Sequence, residues 1–170
     1  MDDEKISRFF KLCEFYLLRN LELSQALPSS TKLLNNFRYL LIFLDLQAKD
    51  EYSQYKQRVI QHLESCSYDD DFIMNILERE RNKDRLLLLL DYFESYLVDE
   101  IEKDLYGHGD KCYTSLYDSL DLVLEIKQEK YNYNYTNINE LLVKGYYFTQ
   151  QDADRFADLA KYHKPEDCPD

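Results

Sequence analysis

Tryptophan is absent, and glycine and proline occur only three times each in 170 residues. So few turn formers exclude a β-rich fold, which needs a turn signal about every 8–12 residues. Three glycines also leave no room for phosphate-cradling loops. No GxxxxGK[ST], GxGxxG or GxSxG occurs. Long apolar runs are missing as well. "YLLIFL" (39–44) and "LLLLL" (86–90) fall far short of the roughly 20 residues that span a bilayer. The four cysteines, at 13, 66, 112 and 168, stand apart with no CxxC pair, so no disulfide framework is indicated. They are expected to be free thiols of a reducing compartment, with Cys13 in the core. "MDDEKISRFF" opens with acids instead of a basic n-region, and a cytoplasmic location is expected. The sequon Asn134-Tyr135-Thr136 is then a chance match.

What remains is rich in helix formers: Leu, Glu, Asp, Lys and Gln. A chain of this length can bury roughly 70% of its unfolded surface, so it needs no metal or disulfide to fold. Apolar residues recur every three to four positions, and they predict an all-α, single-domain bundle of about seven to eight helices. The first covers about 4–26, with Ile6, Phe9, Phe10, Cys13, Leu17 and Leu21 inward. Others are expected over 31–48, 51–65 and 70–81. The strongest pattern runs over about 84–106, from a cap at Asn82 or Asp84 to a C′ glycine at Gly107. Its five consecutive leucines are apolar all round, which marks a central apolar helix. A sixth follows over 111–129. Thr136 or Asn137 caps a seventh over 138–145, and Thr149 with Asp152 resembles a capping box for an eighth over 150–163. The domain is taken as 1–163, with 164–170 a flexible tail.

Thirty-three acids against 21 bases give a net charge of −12. Direct nucleic-acid binding normally shows a basic patch, so it is not expected, nor is binding to anionic membranes. The excess is uneven. Residues 67–110 hold 13 acids and 5 bases, a net −8. Asp69, Asp70 and Asp71 open the fourth helix, where they complement the dipole. Asp99, Glu100, Glu102 and Asp104 crowd the end of the central helix. Such a field keeps a helical protein dispersed, and it also steers encounter with a basic partner.

Templates for chemistry fail. His108 and Cys112 have a zinc-like spacing with no second pair. No Glu-x-x-His supports a di-iron bundle, and "DDDF" lacks the glycine and alternation of a calcium loop. The HEPN nucleases carry Arg-x4–6-His. Arg58 and His62 have three residues between them, and Arg155 and His163 have seven, so neither pair fits. No enzyme, cofactor or metal is expected.

Sixteen tyrosines are present. Tyr16, Tyr39, Tyr92 and Tyr113 sit at core spacing and are expected to be half-buried with the hydroxyl toward water. "KYNYNYTN" (130–137) differs. In a helix Tyr131, Tyr133 and Tyr135 would fan around the axis. In an extended connector they would share one side. The expectation is an extended segment whose rings press on the bundle or form an outward binding ridge.

In composition, tyrosines beside clustered carboxylates resemble small immunity proteins of bacterial nuclease toxins, and phage inhibitors of DNA-processing defence enzymes. That resemblance implies carboxylates standing in for phosphates and rings for stacked bases. The expected function is a non-enzymatic, inhibitor or immunity-type interaction protein that blocks a basic, nucleic-acid-handling partner. Its partner-binding residues would be Asp69, Asp70, Asp71, Asp99, Glu100, Glu102, Asp104, Tyr131, Tyr133 and Tyr135. The alternative rests on topology. About eight helices around "LLLLLDYFESYLVDE" resemble the Bcl-2 architecture, which implies an adaptor holding an amphipathic helix in an apolar groove. The tryptophan-containing signature of that family is absent.

Overall fold

The computed structural model describes residues 3–24, 83–107 and 113–162, with single positions 39, 40, 42, 43, 46, 57, 61, 71 and 75 between them. Among the described residues every regular element is an α-helix, and five are bounded. They are α1 (Asp3–Ser24), α2 (Arg85–Leu105), α3 (Tyr113–Tyr131), α4 (Ile138–Tyr146) and α5 (Gln150–Tyr162). The all-α expectation holds. The count of seven to eight is not supported: the helices expected over 31–48, 51–65 and 70–81 lie outside the described residues apart from those single, helical positions. The expected tail, 164–170, also lies outside them. Among the described residues no helix is long and apolar enough to cross a membrane.

Backbone contacts group the chain into two units, Met1–Phe9 with Leu90–Asp170, and Phe10–Leu89. In the second unit Cys13, Leu17, Leu40, Ile42, Phe43, Leu86 and Leu89 are buried. The rings of Phe10 and Phe43 meet at 6.2 Å. Burial pushes the Cys13 thiol well above its usual range, so it is an inert core group. The start of α2 is set here. Asp84 Oδ1 accepts the Leu87 N–H at 3.2 Å, and its carbonyl takes the Leu88 N–H at 3.0 Å, an N-cap.

In the first unit, α2 buries Leu90, Phe93, Leu97, Val98 and Ile101. Each such side chain contributes about 1.5–3 kcal/mol on leaving water. Phe9 meets Phe93 edge-on at 5.7 Å. The helix ends at Gly107, whose φ of +81° suits a residue without a β-carbon, as its position predicts. On α3 the inward row of Tyr113, Leu116, Leu120, Val123 and Leu124 is buried. Phe156 of α5 fills the space between Tyr113 and Tyr117, at 6.4 and 5.8 Å. Thr114 Oγ1 donates to the Ala160 carbonyl at 2.6 Å and fixes the height of α5 on α3.

The caps of the last two helices follow the expected chemistry. Asn137 Oδ1 accepts the Glu140 N–H at 2.8 Å to start α4. Thr149 Oγ1 accepts the Asp152 N–H at 3.1 Å to start α5. Asn139 Nδ2, donating to Asp154 Oδ1 at 3.0 Å, ties these helices together. α4 ends within one residue of the expected 145. Gly145 remains helical, and the left-handed turn falls on Tyr147, with φ 63° and ψ 24°. A side chain there costs roughly 1–2 kcal/mol.

Candidate functional site

The acids singled out in the sequence differ in how far they are open to a partner. Asp69 and Asp70 lie outside the described residues, and Asp71 is helical and exposed. In "DEIEKD" Lys103 lies 3.3 Å from Asp99 and 3.4 Å from Glu100, taking up part of their charge. Asp104 is only 3% exposed. It shares the inward row of Leu97 and Ile101, and Tyr113 Oη donates to its backbone carbonyl at 2.9 Å. That burial removes Asp104 from any accessible surface. Of the four, Asp99 and Glu102 are exposed, and Glu102 lies in the last turn of α2.

The three tyrosines are not a single extended ridge. Tyr131 belongs to the last turn of α3. Asn132 takes φ 56°, and the Tyr133 N–H reaches back to the Lys127 carbonyl at 3.2 Å to close the helix. Asparagine tolerates this conformation through its short polar side chain. All three tyrosines are half-buried. Tyr133 and Tyr135 contact each other, with ring centroids 6.3 Å apart, but face different charges. Of the tyrosines expected at core spacing, Tyr16, Tyr39 and Tyr92 are half-buried, and Tyr113 is buried.

Tyr133 covers a buried ion cluster that links α2, α3 and α4. Lys127 Nζ lies 2.7 Å from Asp91, 2.8 Å from Glu94 and 4.0 Å from the Tyr133 ring centroid. Tyr146 Oη donates to the other oxygen of Glu94. Burial works against the Lys127 charge, but hydrogen bonds to Asp91 and Glu94 outweigh it and hold the ammonium above its usual range. Burial and the Glu94 bond push the Tyr146 phenol far up. Such a cluster holds its members in place and keeps the Lys127 ammonium protonated. It offers no free base or nucleophile.

Tyr135 stands beside a second feature, a row of carboxylates on α3. Asp118, Asp121, Glu125 and Glu129 are three or four residues apart and so share one face. Lys5 of α1 pairs with Glu125 at 3.3 Å and also with Glu129. Burial, then the charge of Glu125, raises the Asp121 carboxyl above its usual range. The stretch "DSLDLVLEIKQE" carries this spacing, which the net charge of a whole segment does not show.

The third feature lies where α2 ends and α4 turns into α5. Tyr106 is 59% exposed and Tyr147 90% exposed. With Glu102, Leu105, Phe148 and Asp152 they line a small cavity of about 110 Å³. Tyr106 Oη donates to Asp152 Oδ2 at 3.3 Å. The Asp152 charge, and then this bond, raises the Tyr106 phenol, which stays a neutral donor. Arg155 is engaged nearby, donating to the Leu105 carbonyl at 2.6 Å. The capping-box pattern predicts a capping role for Asp152. Its N–H does that work, while its carboxylate faces Tyr106.

His62, His108, Cys112 and His163, the groups that catalytic or zinc templates would use, lie outside the described residues. Among the described residues no group of three or more His, Cys, Asp and Glu is placed to hold a metal ion. No family model, curated protein or solved structure matches the chain.

Proposed function

We propose that this protein is a non-enzymatic interaction module of the inhibitor or immunity type, which docks on a basic, nucleic-acid-handling partner in the cytoplasm. One observation carries the reading: two exposed tyrosines, Tyr106 and Tyr147, stand beside the carboxylates of Glu102 and Asp152. Tyrosine supplies contact area at low entropic cost. Carboxylates beside it match a surface built to hold phosphates, and they speed encounter through long-range attraction. The α3 row of Asp118, Asp121, Glu125 and Glu129 extends the same negative field, with Lys5 as a counter-charge on it.

The test uses the immobilised full chain in a lysate of its source organism, at about 0.05 M and about 0.5 M salt. The expected result is capture of a basic enzyme that acts on nucleic acid. Its retention should fall steeply with salt, since exposed charges are screened beyond a few ångströms at high ionic strength. The purified chain should then inhibit that enzyme. Salt-independent capture, or capture without inhibition, overturns the proposal.

A further inference from the structure

We infer that the cavity between the tip of α2 and the α4–α5 turn receives one arginine side chain of the partner. The inference rests on the docking reading above and makes it specific. The volume, about 110 Å³, corresponds to roughly three or four waters. That suits a single side-chain head and is too small for a helix. The lining combines the rings of Tyr106, Tyr146, Tyr147 and Phe148 with the carboxylates of Glu102 and Asp152.

A guanidinium suits both kinds of lining group at once. Its flat face stacks on a tyrosine ring, its edge donates in pairs to a carboxylate, and it is weakly hydrated. An ammonium is a compact, strongly hydrated charge and uses the rings less well. The resident cation, Arg155, does not fill the cavity. Its guanidinium is held on the Leu105 carbonyl and stands 4.0 Å from Asp152 Oδ1. Tyr106 orients the Asp152 carboxylate by donating to Oδ2.

The probe is the blocked tripeptide acetyl-Gly-Arg-Gly-amide, titrated into the ¹⁵N-labelled full chain by NMR, with the Gly-Lys-Gly analogue as control. The expected result is saturable shifts confined to residues 102–107 and 146–153, stronger for arginine than for lysine. Glu102→Gln with Asp152→Asn should weaken binding roughly fivefold to tenfold. Tyr147→Asn, which tolerates the left-handed turn, should weaken it ~3-fold. Tyr106→Phe keeps the ring and checks that the fold survives.

Equal shifts with lysine, shifts on the α3 carboxylate row instead, or no shift at all would each overturn the arginine assignment. Shifts of the same residues on dilution without peptide would give the cavity to a second copy of the chain and overturn it too. None of these results bears on salt-dependent capture of a basic enzyme, so the wider docking proposal stands or falls separately.

Discussion

Lys127 Nζ lies 2.8 Å from Glu94 Oε1, and the two side chains are only 6% and 8% exposed. Two opposite charges have left water together, each compensated by the other, with Asp91 also on Lys127 and Tyr146 also on Glu94. Removing one strands its partner in a low-dielectric site. Lys127→Met should therefore cost about 3 kcal/mol in urea unfolding. Replacing both, as Lys127→Met with Glu94→Leu, should recover more than half of that loss, because no buried charge is left uncompensated. A double variant no better than the single one would show that the pair does not act as a unit.

Tyr146 adds a pH dependence to the same cluster. Its phenol is raised by burial and by the bond to Glu94. A folded pKa above the unfolded one gives stability that is complete below the unfolded value, near 10, and is lost as pH climbs toward the folded value. Lys127, raised by its carboxylate partners, has the same sign. Stability should thus be flat in this respect through neutral pH and fall above about pH 10. Tyr146→Phe should cost about 1 kcal/mol at pH 7 and show a shallower alkaline decline. Parallel declines for variant and parent would remove Tyr146 from this account.

The apolar part of this structure was legible because helices repeat every 3.6 residues. The row Phe9, Cys13 and Leu17 is buried as its spacing predicts, and Asp84 and Gly107 bound α2 where cap chemistry puts them. The charged part is less legible, because residue type alone puts Asp104 on an accessible partner-binding surface. Asp104 follows Leu97 and Ile101 along one row, and Lys127 follows Leu120 and Val123. Their registers had already placed them inside. The tyrosine triplet failed for another reason. Its period of two suggested an extended segment, but Asn132 turning left-handed is a local choice that ends α3 between Tyr131 and Tyr133. The cavity at Tyr106 and Tyr147 joins residues about forty apart in the chain, which no local pattern reveals.

On α3, Asp121 lies between Asp118 and Glu125, so three carboxylates repel along one face. Its raised carboxyl means that the ionised form weakens the fold at neutral pH, and that this penalty fades as pH falls through the folded pKa. Asp121→Asn should stabilise the protein by about 0.5 kcal/mol at pH 7, the size of one or two like-charge contacts on a helix. The gain should vanish below about pH 4, where the parent carboxyl is itself protonated. An equal gain at both pH values would point to helix propensity instead of charge.

Tyr147 combines a costly backbone with an almost fully exposed ring. Its φ of 63° places a β-carbon in the left-handed region, while 90% exposure means that the ring gains little from burial. Stability alone gives no reason to keep tyrosine there. Tyr147→Gly should relieve the strain, and allowing for glycine's greater freedom in the unfolded chain, the net gain should be roughly 0.5–1 kcal/mol. For a chain of this size that is a rise in Tm of about 1–4 °C. The same change deletes the exposed ring from the cavity mouth, so binding of the arginine tripeptide should weaken as stability rises. Opposite movements of Tm and affinity are the signature of a residue kept for contact at the expense of the fold. A lower Tm with unchanged affinity would reverse both halves and make Tyr147 a structural residue.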